Sequence, residues 1–319
     1  MRLMVIGGGS WGQHVIRNAF ELNILAGIVE GDNDRSASYD IAYPHVARFE
    51  DWRKALATDC DAVAIVTPTE THREIALGAI AAGKDVFVEK PIARNVSDAR
   101  EMAEAAEAAG QIMMVGHLLL FQPAILRIAA LLDAGEIGSL LALRHERLGL
   151  GRVRRTESVI WDLAVHDIAA MHYLIGTVPI DIQASGARLL GQLVDDEIQA
   201  HCTFVNSIRA DLHCSWLWPE TQRRTIVRGT RGMLVFDETR QTLTRYDRWI
   251  DTNLETRNDG QEYLNIENGQ SLRAELVHFA DRVADRRVPR SNAKDAVTVI
   301  EILERIEAAA KTAFHKDMN

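Results

Sequence analysis

The run LMVIGGGSWG, at residues 3–12, is a short apolar stretch that leads directly into a glycine loop. Gly7, Gly9 and Gly12 fit the pattern GxGxxG, and the residues that follow have the apolar spacing of a helix. Glycines at these places let the backbone approach a pyrophosphate, which then lies on the free amides of the helix N-terminus. The run therefore predicts the first strand–loop–helix unit of a Rossmann fold and a dinucleotide site.

An acidic residue follows the second predicted strand. Glu30 comes directly after the apolar run Gly27–Val29. A carboxylate at this place can accept hydrogen bonds from the adenosine ribose and would repel a 2′-phosphate, so the cofactor is predicted to be NAD rather than NADP. The neighbouring Asp32 is expected to be a turn residue.

The rest of the N-terminal third alternates apolar strands with helices. The strands lack polar alternation, which is typical of a parallel sheet that is buried on both faces. Ser97, followed by Asp98, is the expected N-cap of one helix, and Gly83 and Gly110 are expected helix ends. The pattern predicts a doubly wound Rossmann domain over residues 1–120. Its expected strands are Leu3–Ile6, Gly27–Val29, Ala62–Val66, Val86–Val88 and Met113–Val115.

The C-terminal part reads as hairpins with one apolar face. The first pairs Ile198–Phe204 with Ile208–Trp216, and the second pairs Thr225–Arg228 with Met233–Asp237. The polar face of this sheet is either solvated or an oligomer interface. The predicted class is α/β plus α+β, in which residues 121–319 form an open, mainly antiparallel substrate and oligomerisation domain. The expected final helices are Leu272–Arg286 and Ala293–Ala313, and the last is expected to pack back on the Rossmann domain.

Composition excludes several classes of protein. The 319 residues suit two domains, and 47% hydrophobic with 25% charged residues is ordinary for a globular chain. A net charge of −9 argues against a nucleic-acid partner, and no apolar run reaches the roughly 20 residues that span a bilayer. The three cysteines form no CxxC pair and are expected to be reduced. Without a signal peptide in the sequence, we expect a cytoplasmic protein with no membrane partner.

Three further motifs resemble those of a known family. Glu89-Lys90-Pro91 follows a predicted strand, residues 63–72 read VAIVTPTETH, and residues 162–166 read DLAVH, with Ala164 where the family usually has glycine. Together they resemble the Gfo/Idh/MocA oxidoreductases along essentially the whole chain. The resemblance implies a Rossmann domain, an open antiparallel sheet domain and NAD(P)-linked oxidation or reduction of a sugar hydroxyl. It also implies that Lys90 and His166 face the nicotinamide and the reacting carbon, and that Lys90-Pro91 is a cis peptide.

The finer resemblance is to the nucleotide-sugar branch of this family. Residues 114–124 (MVGHLLLFQPA) and 147–154 (RLGLGRVR) are similar to branch motifs, as is Trp161. Gln122 and Gly149 depart from the branch, which usually has His and Asn there. The branch implies a UDP-linked N-acetylhexosamine substrate that is oxidised at C3, a 3-aminotransferase that uses the ketone, and a homodimer or homotetramer.

Proton transfer has two candidate bases. A neutral imidazole, with a pKa of about 6.5, can accept the hydroxyl proton, which makes His166 a candidate. Asp162 either caps the helix that begins there or orients His166, and the helix N-terminus is expected to keep the imidazole neutral. Whether Lys90 or His166 accepts the proton is left open. No metal is expected, although Asp162, His166, Asp167 and His172 are conceivable ligands. A dinucleotide-binding regulator without turnover is the alternative from another class.

The remaining predicted site residues fall into two groups. Five arginines (Arg144, Arg147, Arg152, Arg154 and Arg155) lie close together in the sequence and form either a pyrophosphate site, with Arg152 the best candidate, or a solvated face. Trp11, Phe121 and Trp161 either flank a ring of a ligand or belong to the core. The expected cofactor-binding residues are Gly7, Gly9, Ser10, Trp11, Gly12, Glu30, Thr67, Pro68, Thr69, His72, Glu89 and Lys90. The expected substrate-binding residues are Lys90, His117, Phe121, Gln122, Arg147, Arg152, Arg154, Trp161 and His166.

Overall fold

The computed structural model describes residues 1–151, 153–155, 157–191, 193–267 and 269–316. The chain divides into two compact units. The first is Met1–Phe121 with Gln270–Ile300, and the second is Gln122–Gly269 with the residues from Glu301 onward. The predicted boundary gave every residue after 120 to the second domain. Residues 270–300 differ because Phe279 is fully buried with its ring centroid 5.8 Å from that of Phe87, inside the first unit.

The first unit contains a six-stranded parallel sheet in the order β3-β2-β1-β4-β5-β6. Every residue of β1, β4, β5 and β6 is buried, so the apolar runs were correctly interpreted as strands covered on both faces. β3 was not predicted, because it has three residues and none is buried. The strands are β1 Leu3–Ile6, β2 Leu25–Val29, β3 Ala47–Phe49, β4 Ala62–Ile65, β5 Asp85–Glu89 and β6 Met113–Gly116.

Helices connect these strands. Gly83 and Gly110 follow helix ends with positive φ angles of 72° and 66°, as predicted. Ser97 is not the N-cap of its helix. Asn95 takes that place, because its Oδ1 accepts a hydrogen bond from the Asp98 amide at 2.8 Å. The helices of the first unit are α1 Gly12–Glu21, α2 Asn33–Ala42, α3 Trp52–Leu56, α4 His72–Ala81, α5 Val96–Ala108 and α8 Ser271–Asp285.

The second unit contains an eight-stranded, mainly antiparallel sheet in the order β14-β13-β12-β11-β7-β10-β9-β8. Only the β7–β10 pair is parallel among the described strand pairs of this sheet. The predicted α/β plus α+β class is therefore confirmed. The strands are β7 Leu140–Leu150, β8 Asp181–Ala187, β9 Glu197–Thr203, β10 Arg209–Ser215, β11 Leu217–Gly229, β12 Met233–Asp237, β13 Thr242–Ile250 and β14 Thr256–Leu264.

Both predicted hairpins are present. β9 pairs with β10 so that Cys202 lies opposite Ala210, and β11 pairs with β12 so that Ile226 lies opposite Val235. Alternate residues of these strands are buried, while the opposite face carries polar side chains such as His201. The use of that face as an oligomer interface remains a prediction.

Three further α-helices lie in the described part of the chain: α6 Pro123–Asp133, α7 Val165–Ile175 and α9 Ala293–Lys316. The predicted last helix, Ala293–Ala313, begins at the same residue as α9. No helix in the described part of the chain is long and apolar enough to cross a membrane.

Candidate active site

The glycine loop after β1 requires glycine at two of its three positions. Gly7 has a φ of 103°, and a Cβ on it would lie 2.7 Å from the Val66 carbonyl oxygen. A Cβ on Gly12 would lie 2.1 Å from the carbonyl oxygen of Gly7. Gly9 differs, because no described atom lies within 4 Å of a Cβ placed there. This open face above Gly9, with the exposed Ser10 beside it, fits a pyrophosphate that binds at the start of α1.

Glu30, at the end of β2, is held by four hydrogen bonds. Its Oε2 accepts from the Gly8 amide at 2.9 Å and its Oε1 from the Asp32 amide at 2.8 Å. Arg35 donates to both oxygens at 3.1 Å. Burial opposes ionisation, yet the hydrogen bonds from Arg35, Asp32 and Gly8 outweigh it and lower the pKa of Glu30. The carboxylate is therefore charged at neutral pH, as an acceptor for ribose hydroxyls must be.

Asp32 and Tyr39 support this part of the first unit. Asp32 is the N-cap of α2, where its Oδ1 accepts from the Arg35 amide at 3.0 Å, so it is a structural residue next to Glu30. The Tyr39 hydroxyl donates to the Gly8 carbonyl oxygen at 2.7 Å. The glycine loop and α2 are thus joined directly.

The segment after β4 contains four of the predicted cofactor residues. Thr67 and Pro68 lie at the end of the strand, and Thr69 begins a short 3₁₀ helix. His72 is buried, with Nε2 at 2.9 Å from the Thr67 carbonyl oxygen and Nδ1 at 3.1 Å from that of Pro91. Burial lowers the pKa of His72, and a neutral imidazole has a single N–H to donate to these two acceptors. His72 therefore joins the loops after β4 and β5 from inside the unit, where a cofactor contact was predicted.

Glu89 and Lys90 end β5. Glu89 is buried, and its Oε1 accepts from Trp11 Nε1 at 2.6 Å while its Oε2 accepts from the Lys90 amide at 3.2 Å. Burial raises the pKa of Glu89 to about 7. Lys90 is half-buried and its peptide bond to Pro91 is cis, as the resemblance implied. Trp11 thus links the glycine loop to the strand end that carries Lys90.

His117 and Phe121 lie beyond β6 and are both buried. The Phe121 ring centroid is 5.3 Å from that of His278, and the Arg290 guanidinium lies 4.9 Å from the Phe121 centroid. Because these side chains of the first unit already pack against it, Phe121 is a core residue. This packing agrees with the core alternative for Phe121, and its role in substrate binding stays a prediction.

Asp162 lies in an irregular turn that precedes α7. Residues Ile160–Ala164 form a π turn, which is rare and often marks a functional site. Asp162 Oδ1 accepts from Arg154 Nη2, and Oδ2 accepts from Trp216 Nε1, both at 3.2 Å. Of the two alternatives for Asp162, capping of a helix does not fit, because helical backbone already begins before it, and orientation of His166 stays a prediction. His166, the second residue of α7, is therefore not at a free helix N-terminus, and a helix dipole does not explain a neutral imidazole there.

A cavity of about 260 Å³ lies beside Asp162. Arg154 and Arg223 bring positive charge to its wall, and a side chain on Gly149 would enter it next to Thr221, whose Oγ1 is 3.4 Å from the Cβ position. Arg223 and Thr221 were not predicted, because they reach the cavity through the long-range pairing of β11 with β7. The lining residues are Arg147, Leu148, Gly149, Leu150, Gly151, Arg154, Asp162, Leu163, Ser215, Trp216, Thr221 and Arg223.

The predicted arginine cluster does not form one site. Arg144 pairs with Glu146 at 2.8 Å and Arg155 is exposed, as expected for a solvated face. Arg147 is buried and bound to Asp167 by two hydrogen bonds of 2.9 Å, and its role in substrate binding stays a prediction. Arg154 lines the cavity, where its role in substrate binding stays a prediction, and Arg152 lies outside the described residues.

Trp161 and Gln122 are the other predicted substrate-binding residues of the second unit, and their contact with substrate stays a prediction. Trp161 is half-buried in the π turn, and Gln122 is the residue before α6, with an Oε1 that is buried without a hydrogen-bond partner among the described residues. The described residues contain no group of three or more His, Cys, Asp or Glu side chains that could hold a metal ion. Asp167, one of the conceivable ligands, is bound to Arg147 instead.

Two protein-family models match the chain. Residues 1–117 match the oxidoreductase family with an NAD-binding Rossmann fold, and residues 125–235 match the C-terminal domain of the same family. The chain belongs to the Gfo/Idh/MocA family. It is an oxidoreductase with NAD as cofactor, and the alternative of a regulator without turnover is set aside. The Gfo/Idh/MocA match also agrees with the open glycine loop and the charged Glu30 of the first unit.

Relatives within the Gfo/Idh/MocA family act on different substrates. The UDP-N-acetylglucosamine 3-dehydrogenase of Acidithiobacillus ferrooxidans is 29% identical over 293 residues, which cover 90% of each chain. A solved structure of that enzyme superposes with a TM-score of 0.87 at 27% identity and covers 98% of each chain. An inositol 2-dehydrogenase of Klebsiella pneumoniae is 28% identical over 66% of this chain and 71% of its own length. The reaction class is thus shared, whereas the substrates differ.

Proposed function

We propose that this enzyme oxidises the C3 hydroxyl of UDP-N-acetylglucosamine to a ketone with NAD⁺. The observation that carries the proposal is the similarity to a UDP-N-acetylglucosamine 3-dehydrogenase along 90% of both chains. The inositol dehydrogenase with nearly the same identity matches over only 66% of this chain.

The charge of the cavity supports a nucleotide-sugar substrate. Arg154 and Arg223 line it, and arginine binds phosphate oxygens through two parallel hydrogen bonds. The Arg154 Nε is buried and has no hydrogen-bond partner among the described residues, so it is one donor that a ligand oxygen can satisfy. Arg154 and Arg223 each have a carboxylate nearby, Asp162 at 3.2 Å and Glu238 at 3.5 Å, so the support for a nucleotide sugar comes from the arginine N–H donors beyond these pairs.

The reaction removes a hydride from C3 and a proton from its hydroxyl, so that the C–O bond becomes a carbonyl. Bound NAD⁺ supplies the hydride acceptor, and we expect the glycine loop and Glu30 to hold it. The chain must accept the proton, for which Lys90 and His166 are the two candidates. Asp162, fixed by Arg154 and Trp216, is expected to orient the substrate or His166.

A specific observation favours one second candidate. Several relatives are inositol 2-dehydrogenases, so a cyclic polyol is the alternative substrate class. The related alternatives of a UDP-N-acetylglucosaminuronate 3-dehydrogenase and an NAD-dependent glycosidase use the same C3 oxidation. Within the main proposal, we expect a cytoplasmic homodimer or homotetramer that supplies a 3-aminotransferase in lipid A diamino-sugar synthesis.

The test is a coupled assay. The purified protein is incubated with NAD⁺ and UDP-N-acetylglucosamine, together with a 3-aminotransferase and glutamate that remove the ketone, and NADH absorbance is followed. The coupling is needed because oxidation of an alcohol by NAD⁺ is unfavourable near neutral pH. The uronate sugar and myo-inositol run in parallel, with His166→Ala and Lys90→Ala as matched variants.

The substrates separate the candidates. NADH formed from UDP-N-acetylglucosamine, and reduced to a small residual rate in both variants, is the expected result. Turnover of only the uronate or only the inositol would move the substrate to that class and leave the dehydrogenase assignment in place. If none of the three reacts while NADH still binds, the nucleotide-sugar proposal is wrong.

A further inference from the structure

A buried ion cluster in the second unit joins β7 to the first turn of α7. Arg147 donates from Nε and Nη2 to the two carboxylate oxygens of Asp167, both at 2.9 Å, and from Nη2 to Glu238 Oε2 at 3.2 Å. Arg147 is 8% exposed and Asp167 is 2% exposed. A two-bond arginine fork fixes the plane of a carboxylate as well as its distance, which a lysine ammonium does not.

The nearest other basic groups do not replace Arg147 in this cluster. His145 Nδ1 lies 3.7 Å from Asp167 Oδ1 and 3.1 Å from Thr225 Oγ1. Burial lowers the pKa of His145 to about 4, so this imidazole is neutral at the pH of the reaction. Arg223 lies 3.5 Å from Glu238 and is half-exposed. Arg147 is therefore the cation that holds Asp167.

Asp167 directly follows His166 in the chain. The π turn at Ile160–Ala164 precedes α7, so the start of this helix follows an irregular turn. Asp167 lies in the first turn of α7 and is fixed to β7 by Arg147. It therefore restrains the backbone of the neighbouring residue, His166. We propose that Arg147 and Asp167 form a clamp that positions the His166 imidazole for proton transfer. This inference rests on the proposed role of His166 in the reaction.

The clamp differs in its consequences from a role of Arg147 as a substrate ligand. Arg147 lines the cavity, but its Nε and Nη2 already donate to carboxylates. Loss of a substrate ligand raises KM, whereas displacement of a proton acceptor lowers kcat. A shift of about 1 Å in a reacting group costs on the order of 100-fold in rate.

The kinetic test combines Asp167→Asn and Arg147→Lys with His166→Ala. In the wild-type background each clamp variant is expected to lower kcat by roughly 10- to 100-fold with little change in KM. In the His166→Ala background the same substitutions should have no further effect on kcat, because their target is gone. Multiplicative losses in that background, or a raised KM with unchanged kcat, would overturn the clamp.

A second measurement needs no substrate. The imidazole NMR signals of His166, assigned with His166→Gln, are recorded in each variant. Arg147→Lys is the decisive variant because it changes no residue next to His166 in the chain. It also keeps the positive charge beside Asp167, so it can be measured even if Asp167→Asn fails to fold. Asp195→Asn is the matched control, since Asp195 Oδ1 accepts from Arg188 Nε at 2.9 Å, and its bond to the residue before the π turn, from the Val159 amide at 2.9 Å, uses a backbone carbonyl that the substitution keeps.

The two measurements distinguish failure of the clamp from failure of the proposed function. A His166 signal that moves in Arg147→Lys but not in Asp195→Asn supports the clamp, even if no tested sugar reacts. A His166 signal and titration that are unchanged in Arg147→Lys and Asp167→Asn overturn the clamp, even if UDP-N-acetylglucosamine is oxidised.

Discussion

The buried carboxyl of Glu89 makes the stability of the first unit depend on pH. The pKa of Glu89 is raised from 4.5 to about 7, chiefly because burial disfavours the charged form. The difference between the folded and unfolded pKa, about 2.5 pH units, corresponds to about 3 kcal/mol. The folded state holds the Glu89 proton more tightly than the unfolded state does, so protonation of Glu89 stabilises the fold. Because the folded pKa is the higher one, this contribution is complete below pH 4.5 and is lost as the pH rises through 7. Wild-type protein should therefore be about 3 kcal/mol less stable at pH 8.5 than at pH 4.5 from this group alone.

Glu89→Gln removes the titration. Glutamine keeps an acceptor for Trp11 Nε1, so the packing is retained while the charge cannot form. In thermal unfolding of the cofactor-free protein between pH 5 and 8.5, the Tm advantage of Glu89→Gln should grow with pH to roughly 6–12 °C, at about 2–4 °C per kcal/mol. Glu107→Gln is the control, because Glu107 is exposed on α5.

Glu275 is a second buried carboxyl that adds to the pH dependence of stability and tests whether burial causes it. Glu275, on α8, is 1% exposed, and burial together with the negative charge of Glu89 raises its pKa well above 4.5. Its Oε1 has no hydrogen-bond partner among the described residues. Glu275→Gln should therefore also gain stability with rising pH. If the Tm difference between Glu89→Gln and wild type were the same at pH 5 and pH 8.5, the argument from burial would be refuted.

Three further predictions concern the cofactor and substrate sites. Gly9→Ala should leave the Tm unchanged, because its Cβ meets no described atom, and should weaken NADH binding at least roughly tenfold in a fluorescence titration by filling the pyrophosphate face. Gly12→Ala should lower the Tm, because its Cβ would lie 2.1 Å from the Gly7 carbonyl oxygen, and a normal Tm would contradict that geometry. Arg154→Gln should raise KM for UDP-N-acetylglucosamine by roughly tenfold or more in the coupled assay while leaving the NADH Kd unchanged, since its charge faces the cavity of the second unit.

Local sequence was sufficient for the features that depend on neighbouring residues. The GxGxxG loop forms because Gly7 and Gly12 allow a close backbone approach that a Cβ would prevent. The hairpin of β9 and β10 follows from period-two alternation around Asn206 and Ser207, both of which have positive φ. The N-cap error at Ser97 is also local. Asn95, two residues earlier, caps as well as serine does, and Asp98 three residues after it completes a reciprocal pair of hydrogen bonds.

Long-range packing decides the surroundings of two predicted site residues, Phe121 and His72. The Phe121 side chain suits stacking on a ligand and filling a core equally well, and its contacts with His278 and Arg290 could not be predicted from neighbouring residues. His72 is similar, since its two carbonyl partners belong to loops after different strands. Residue type predicted a place near the site for these two side chains, but their packing and hydrogen-bond partners are far away in the sequence.

Arg147 shows why residue type alone cannot separate a ligand from a positioning residue. The same guanidinium fork suits a substrate phosphate and a buried aspartate equally well, so an arginine near a site motif fits both roles. The pair forms because the fold places β7 beside α7, and Asp167 lies twenty positions from Arg147 along the chain. A buried charge of this kind is strongly destabilising when its partner is removed, by about 3–5 kcal/mol. Loss of either partner therefore destabilises the folded state, and this requirement restricts substitution at Asp167 in α7, the helix that also carries the proposed proton acceptor His166.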